Sequence, residues 1–128
     1  MVKKLYPLCE NHLFSKAYRK GKSDVNKYVA VYALKNYRKD ASGRPEATRL
    51  GITVNRKLGK AAKRSRVKRI IRAAYRENLA DLKNGYIIIV AARGAAFDKK
   101  VKSTDIAVKL RKSFENLGLL DVSLNNVK

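Results

Sequence analysis

Acidic residues are scarce in this chain. Ten Asp and Glu stand against 31 Lys and Arg in 128 residues, a formal net charge of +21. An excess of that size cannot be buried, so it lies on the surface and repels itself there. A polyanionic partner relieves the repulsion, and nucleic acid leads because phosphate neutralisation releases counterions. Cysteine and histidine are nearly missing too, with Cys9 and His12 the single examples. A lone cysteine excludes an internal disulfide and fits a reducing, cytoplasmic setting. The two residues alone cannot assemble a zinc site, and both read as incidental. No apolar run approaches membrane-spanning length, and Met1 to Leu8 lacks the apolar stretch of a signal peptide. An anionic membrane is therefore the weaker partner. There is no internal repeat and no long basic tail; the N-terminus offers only Lys3 and Lys4.

Hydrophobic residues make up 45% of the sequence, enough for the modest core of one domain over residues 1–128. Their period changes several times, as in a mixed α+β domain. Asn11 to Lys20 reads as a short helix, capped by Asn11 and stopped by Gly21. Its pairs Leu13/Ala17 and Phe14/Tyr18 share a face. Tyr28 to Leu34 reads as a strand, with Tyr28, Ala30, Tyr32 and Leu34 on one side and Val29, Val31 and Ala33 on the other. A further short strand fits near Ser23 to Val25. Asn36 to Ala47 reads as a loop closing a hairpin, and Thr48 to Val54 as the next strand. Lys60 to Lys83 is a long helix whose apolar stripe is Val67, Ile70, Ile71 and Ala74. Tyr86 to Ala92 is a continuous apolar run, the pattern of a central strand covered on both faces. Ser103 or Thr104 then caps a helix reaching Leu117, buried through Ile106, Leu110, Phe114 and Leu117 and ended by Gly118. Residues from about 119 to 128 read as a frayed tail. The expected fold is α+β, one small sheet of about four strands packed with helices in the order α-β-β-β-α-β-α.

Between Glu46 and Glu77 there is no acidic residue, while eleven Lys and Arg fall in that window. A solvated helix usually mixes signs, because opposite charges four residues apart add stability. This helix forgoes such pairs. Helical geometry puts Arg64, Lys68, Arg69, Arg72 and Arg76 in a sector beside the apolar stripe, facing outward. Arg64 to Arg72 spans about 12 Å, a row able to follow a phosphate backbone with bidentate guanidinium grips.

The stretch Arg49-Leu50-Gly51-Ile52-Thr53-Val54-Asn55-Arg56-Lys57-Leu58-Gly59-Lys60-Ala61-Ala62-Lys63-Arg64-Ser65-Arg66-Val67-Lys68-Arg69-Ile70-Ile71-Arg72 resembles the signature of the bacterial ribonuclease P protein. That family's hallmark is a strand, a basic Gly-containing turn, then a helix carrying Arg-Asn-Arg and continuing into Lys-Arg and Arg. Arg64, Arg66, Lys68, Arg69 and Arg72 match it. Ser65 departs, standing where the motif has Asn; its hydroxyl keeps a shorter hydrogen-bonding group. The resemblance extends over roughly Leu5 to Leu120.

The resemblance implies a small subunit of a ribonucleoprotein whose RNA carries out catalysis with Mg2+, removing the 5′ leader of precursor tRNA by phosphodiester hydrolysis. It implies no cofactor bound by the protein alone and no required protein partner. By similarity, Arg64, Ser65, Arg66, Lys68, Arg69 and Arg72 bind the catalytic RNA, with Lys57, Lys60 and Arg93 as weaker candidates. Phe14, Tyr18 and Tyr32 line a cleft for the single-stranded leader, with Thr53, Asn55 and Arg56 at its edge. Aromatics beside cations can stack unpaired bases, although any one of them alone could equally be core. Gly51 and Gly59 read as positions of backbone geometry. The family fold also implies a left-handed βαβ crossover, against the usual rule.

No catalytic set of the chain's own is evident. His12 has no nucleophile in its surroundings, and Asp98, Asp105 and Asp121 suit loop and helix-end roles. The alternative reading is a structural RNA-binding protein such as a ribosomal protein. A DNA-binding regulator fits less well, since the basic helix follows a strand rather than a short helix and tight turn.

Overall fold

The continuous apolar run does become the centre of the sheet. The computed structural model describes residues 4–8 and 10–121; residues 1–3, Cys9 and the segment 122–128 lie outside the described residues. In chain order these form β1 (Tyr6–Pro7), α1 (Asn11–Lys20), β2 (Lys22–Val25), β3 (Val29–Lys35), β4 (Arg49–Thr53), α2 (Ala61–Asn78), β5 (Tyr86–Ala92) and α3 (Ser103–Asn116). The sheet order is β1-β4-β5-β3-β2. β5 runs parallel to β4 and antiparallel to β3, so both of its edges are paired. Ile87 through Val90 are all buried. Their alternation feeds two layers: Ile88 and Val90 join Val29, Val31 and Leu50 beneath α2 and α3, while Ile87 and Ile89 join Leu8 and Ala17 beneath α1.

The α+β class stands, with one strand more than expected. β1 is only two residues long and one of them is Pro7, too short for a period of two to show. It pairs in parallel with β4, and the Leu8 amide extends the ladder to the Leu50 carbonyl at 2.8 Å. The loop from Asn36 to Ala47 does not close a hairpin between β3 and β4, because β5 lies between them. An all-apolar strand gains most from the doubly covered position, and its burial outweighs the short local connection. The true hairpin is β2–β3, where Asn26 Oδ1 accepts from the Tyr28 and Val29 amides, each at 2.9 Å.

Four ends differ from the sequence reading. α2 stops at Asn78 and passes into a 3-10 turn, Leu79–Asp81, rather than continuing to Lys83. Asn11 and Ser103 are first helical residues, not caps; Glu10 and Lys102 precede them, and Asp105 Oδ2 accepts from the Lys102 amide at 2.9 Å. Leu119 and Leu120 are buried, not frayed: the Lys83 amide donates to the Leu119 carbonyl at 2.8 Å, and Leu82 bridges Leu120. Two leucines in that position bury apolar area worth about 1.5–3 kcal/mol each, enough to hold a chain end down.

Candidate nucleic-acid interface

α2 takes its orientation from Val67, Ile71, Ala74, Tyr75 and Asn78, which are buried against α3 and the sheet. Tyr75 packs edge-on to Phe114, ring centroids 6.1 Å apart. Burying that stripe forces the opposite sector outward. Ser65, Lys68, Arg69 and Arg76 are exposed and Arg72 is half-buried. Lys57 and Lys60 are exposed just before the helix.

Two arginines stand off that row. Arg64 lies seven residues before Ile71, two turns away on nearly the same face, so it turns inward rather than out. It is half-buried, and its Nε donates to the Gly59 carbonyl at 3.2 Å. Arg66 falls on the flank facing the loop before α3. Its Nη2 donates to the carbonyls of Val101 at 2.8 Å and Lys99 at 3.2 Å. The outward cationic row is therefore Lys68, Arg69, Arg72 and Arg76, with Ser65 among them.

The other sheet face carries the aromatic residues. α1 lies across it, held by Leu8, Ala17, Ile87 and Ile89. The sequence brings Phe14, Tyr18 and Tyr32 together with Thr53 as expected. Tyr18 and Tyr32 meet edge-on with centroids 4.7 Å apart, and the Tyr18 hydroxyl lies 3.0 Å from Thr53 Oγ1. Tyr18 is 42% exposed, a poor fit to a purely core role. Phe14 is half-buried, its ring lying over Gly51.

Gly51 and Gly59 are explained by close approach, not by backbone conformation. A Cβ on Gly51 would stand 2.5 Å from the Phe14 ring, and one on Gly59 would stand 2.8 Å from the Phe97 ring. Gly59 itself is extended, a conformation open to any residue. The rings come from elements distant in sequence, which is why local reasoning missed the cause.

Beyond Thr53 the chain turns at Asn55, whose Oδ1 accepts from the Lys57 amide at 2.9 Å to start a 3-10 turn, Arg56–Leu58. Asn55 and Arg56 are exposed between the aromatic face and the start of α2. Arg93 is drawn away from the row, its Nη1 donating to the Asn26 carbonyl at 2.6 Å. Two residues escaped the sequence reading. Ala30 pairs with Ala91, and Ala91 with Thr53, so a row of small side chains floors the face beside the tyrosines. The signal was there in the pairs Ala30/Tyr32 and Ile89/Ala91, where a small residue and a large one are successive on the same face.

Carboxylates do not gather. Asp98 Oδ1 accepts from the Lys100 amide at 2.9 Å, and Asp105 caps α3. His12 is exposed, 3.9 Å from Glu10. What the site offers is an outward row of cations on one helix and a shallow aromatic face on the other side of the sheet, joined at one sheet end by Thr53, Asn55 and Arg56.

That arrangement has relatives. A family model described as Ribonuclease P matches residues 2–118. A ribonuclease P protein component from Clostridium acetobutylicum is 38% identical over 119 residues, covering 92% of this chain and 93% of its own length. One from Clostridioides difficile (strain 630) is 41% identical over 97 residues, covering 75% and 79%. The RNase P protein of Staphylococcus aureus superposes with a TM-score of 0.71 at 29% identity, over 91% of this chain and 99% of that one. The protein from Thermotoga maritima gives 0.67 at 29% identity, over 86% and 94%. These matches remove the ribosomal-protein and DNA-regulator readings. The chain belongs to the bacterial ribonuclease P protein family, and its role is that of the protein subunit, partnered by ribonuclease P RNA, in the endoribonuclease that processes tRNA 5′ ends.

Proposed function

We propose that the two faces divide the subunit's work. The α2 row of Lys68, Arg69 and Arg72, with Ser65 among them and Lys57 and Lys60 before it, binds the catalytic RNA, while Arg64 and Arg66 brace the helix through the Gly59, Lys99 and Val101 carbonyls. The α1 face of Phe14, Tyr18 and Tyr32, edged by Thr53, Asn55 and Arg56, takes the single-stranded leader of precursor tRNA. The observation that carries this division is the Tyr18–Tyr32 pair, with Tyr18 42% exposed on a basic protein. An exposed tyrosine braced by a second ring presents a flat surface to an unpaired base. Duplex RNA, with its bases stacked inside, has no use for such a platform.

On this reading catalysis belongs to the RNA subunit, as membership of the family implies. Among the described residues no three His, Cys, Asp or Glu side chains stand where they could hold a metal ion. The RNA subunit would hold the Mg2+ ions, which would supply an activated water and stabilise the leaving oxygen. The protein's part is to hold the leader so that the scissile phosphate is correctly placed. No second protein is required. The reading takes a cytoplasmic setting, in keeping with the single cysteine. Among the described residues no helix is long and apolar enough to cross a membrane.

Reconstitution tests the reading. The protein is mixed with a bacterial ribonuclease P RNA and precursor tRNA at low Mg2+. Cleavage at the tRNA 5′ end that needs both components is the expected result. Tight RNA binding with no stimulation of cleavage would refute it.

A further inference from the structure

α1 divides the face it lies on. One flank, Phe14 and Tyr18, looks toward Gly51, Thr53 and Tyr32. The opposite flank, Leu13 and Lys16, borders a separate groove of about 450 Å³ whose far wall is Leu34, Lys35, Tyr37 and Arg38. A neighbouring cavity of about 360 Å³ shares Lys35 and Tyr37 and adds Lys20, Lys22 and Tyr86.

This second groove has its own chemistry. Tyr37 is 80% exposed, the most exposed large hydrophobic side chain among the described residues. The Lys35 ammonium lies 5.9 Å from the Tyr37 ring and 5.9 Å from the Tyr86 ring, a cation held between two aromatic faces. No acidic residue occurs between Glu10 and Asp24 or between Asp24 and Asp40. Asp40 is turned back into its own loop, its Oδ1 accepting from the Ser42 hydroxyl at 2.6 Å and from the Ser42 and Arg44 amides. Glu10 is shared between Arg38 at 3.8 Å and Arg49 at 3.4 Å. The exposed back of α1, between cleft and groove, carries Lys16, Arg19 and Lys20. A phosphate chain leaving the tyrosine cleft and crossing α1 therefore meets cations throughout.

We propose that this groove is a second leader subsite: Tyr37 stacks an unpaired base, and Lys35, Lys20 and Lys22 hold phosphates, of leader nucleotides too far from the cleavage site for the Tyr18–Tyr32 cleft. The inference rests on the leader-binding reading of that cleft. Single-stranded RNA is the occupant because the groove and its neighbouring cavity pair one accessible ring with Lys16, Lys20, Lys22 and Lys35, while the nearby acids Glu10 and Glu46 are engaged by Arg38 and Asn36. Tyr32 and Leu34 are successive outward positions on β3, about 7 Å apart, so cleft and groove adjoin.

The test uses the holoenzyme and precursor tRNAs with leaders of about three and about twelve nucleotides, lengths bracketing a single-strand site. Tyr37→Ala and, separately, Lys20→Glu are the variants; both positions are exposed, and the melting temperature verifies folding. Each is expected to weaken binding of the long-leader substrate by about tenfold and leave the short-leader substrate unchanged. Unchanged affinity for the long leader overturns the proposal. So does an equal loss at both lengths, which would place the groove against the tRNA body or the RNA subunit. Tyr18→Ala separates the two readings, since it should weaken both substrates through the cleft. If Tyr18→Ala has no effect while Tyr37→Ala acts only on the long leader, the groove stands and the cleft assignment falls.

Discussion

The Tyr18 hydroxyl lies 3.0 Å from the Thr53 hydroxyl, fastening the C-terminal half of α1 to the last residue of β4. The bond is solvent-exposed, so on stability it is worth at most about 1 kcal/mol. Its larger consequence is to fix the ring against Tyr32. Tyr18→Phe keeps the ring and loses only the bond. Its affinity for precursor tRNA should stay within about twofold of the parent. Tyr18→Ala removes the platform and should cost about 5- to 150-fold, the range of one stacked base. Binding of mature tRNA should not change in either variant. Titrations of the assembled holoenzyme with the two tRNAs decide it, and equal losses on both would detach the cleft from the leader.

Gly51→Ala probes the same cleft from beneath. The added methyl would lie 2.5 Å from the Phe14 ring, which is half-buried and packed against the cluster of Leu8, Ala17, Ile87 and Ile89. Overpacking of this kind costs about 1–3 kcal/mol. The melting temperature should fall by about 2–8 °C for each kcal/mol lost. Because Phe14 and α1 move together, precursor tRNA affinity should fall as well. Gly51→Ala combined with Phe14→Leu, which makes room, should recover much of the stability. A double variant no more stable than Gly51→Ala alone would show that the ring is not the obstacle.

These two positions show where sequence reasoning reached and where it stopped. The long basic helix and the shared faces of Phe14 with Tyr18 and of Tyr28 with Tyr32 were legible because helical and strand periods are local properties; grouping the aromatics with Thr53 came from the family resemblance. Residues 28–34 and 86–92 were read almost to their ends for the same reason. The central place of β5 was legible in its apolar run, but its insertion between β3 and β4 was not, since pairing of distant strands is settled across the whole sheet. The glycines were misread because their neighbours, Phe14 and Phe97, come from elsewhere in the chain. Arg64 and Arg66 matched a motif as letters, yet each donates to a backbone carbonyl that no local pattern reveals.

Tyr75 gives a prediction about pH. Its hydroxyl is buried with no hydrogen-bond partner among the described residues. Burial raises the phenol well above its ordinary value. The folded state thus holds it neutral at pH values where the unfolded chain ionises it. Stability is therefore unaffected by this group below about pH 10 and falls as pH rises from there toward the folded-state value, because only the unfolded chain ionises it. Tyr75→Phe abolishes that loss and removes an unpaired polar group. At neutral pH the variant should be as stable as the parent, or more stable by about 1 kcal/mol. Its alkaline unfolding midpoint, followed by circular dichroism, should lie higher. An unchanged midpoint would mean that Tyr75 does not govern alkaline unfolding.

Arg66 and Arg69 sit three residues apart on α2 and should behave differently. Arg69 is exposed on the outward row. Arg69→Ala should leave the melting temperature unchanged while weakening binding of ribonuclease P RNA. If it touches one phosphate, the slope of log affinity against log salt should become shallower by about 0.7–0.9, one contact's worth. Arg66 is half-buried and bridges α2 to the carbonyls of Lys99 and Val101. Arg66→Ala leaves those carbonyls to water and loosens the loop that leads into α3. It should lower stability by about 1–2 kcal/mol, discounted from the full strength of charge-assisted bonds because the group is partly solvated. Arg66→Lys keeps the charge but not the planar fork, so it should lose stability while holding the salt slope. Thermal melts and binding titrations at several salt concentrations separate the two effects. An Arg66→Ala protein that melts like the parent, with a shallower slope, would show the residue to be a phosphate contact and its carbonyl bonds to be dispensable.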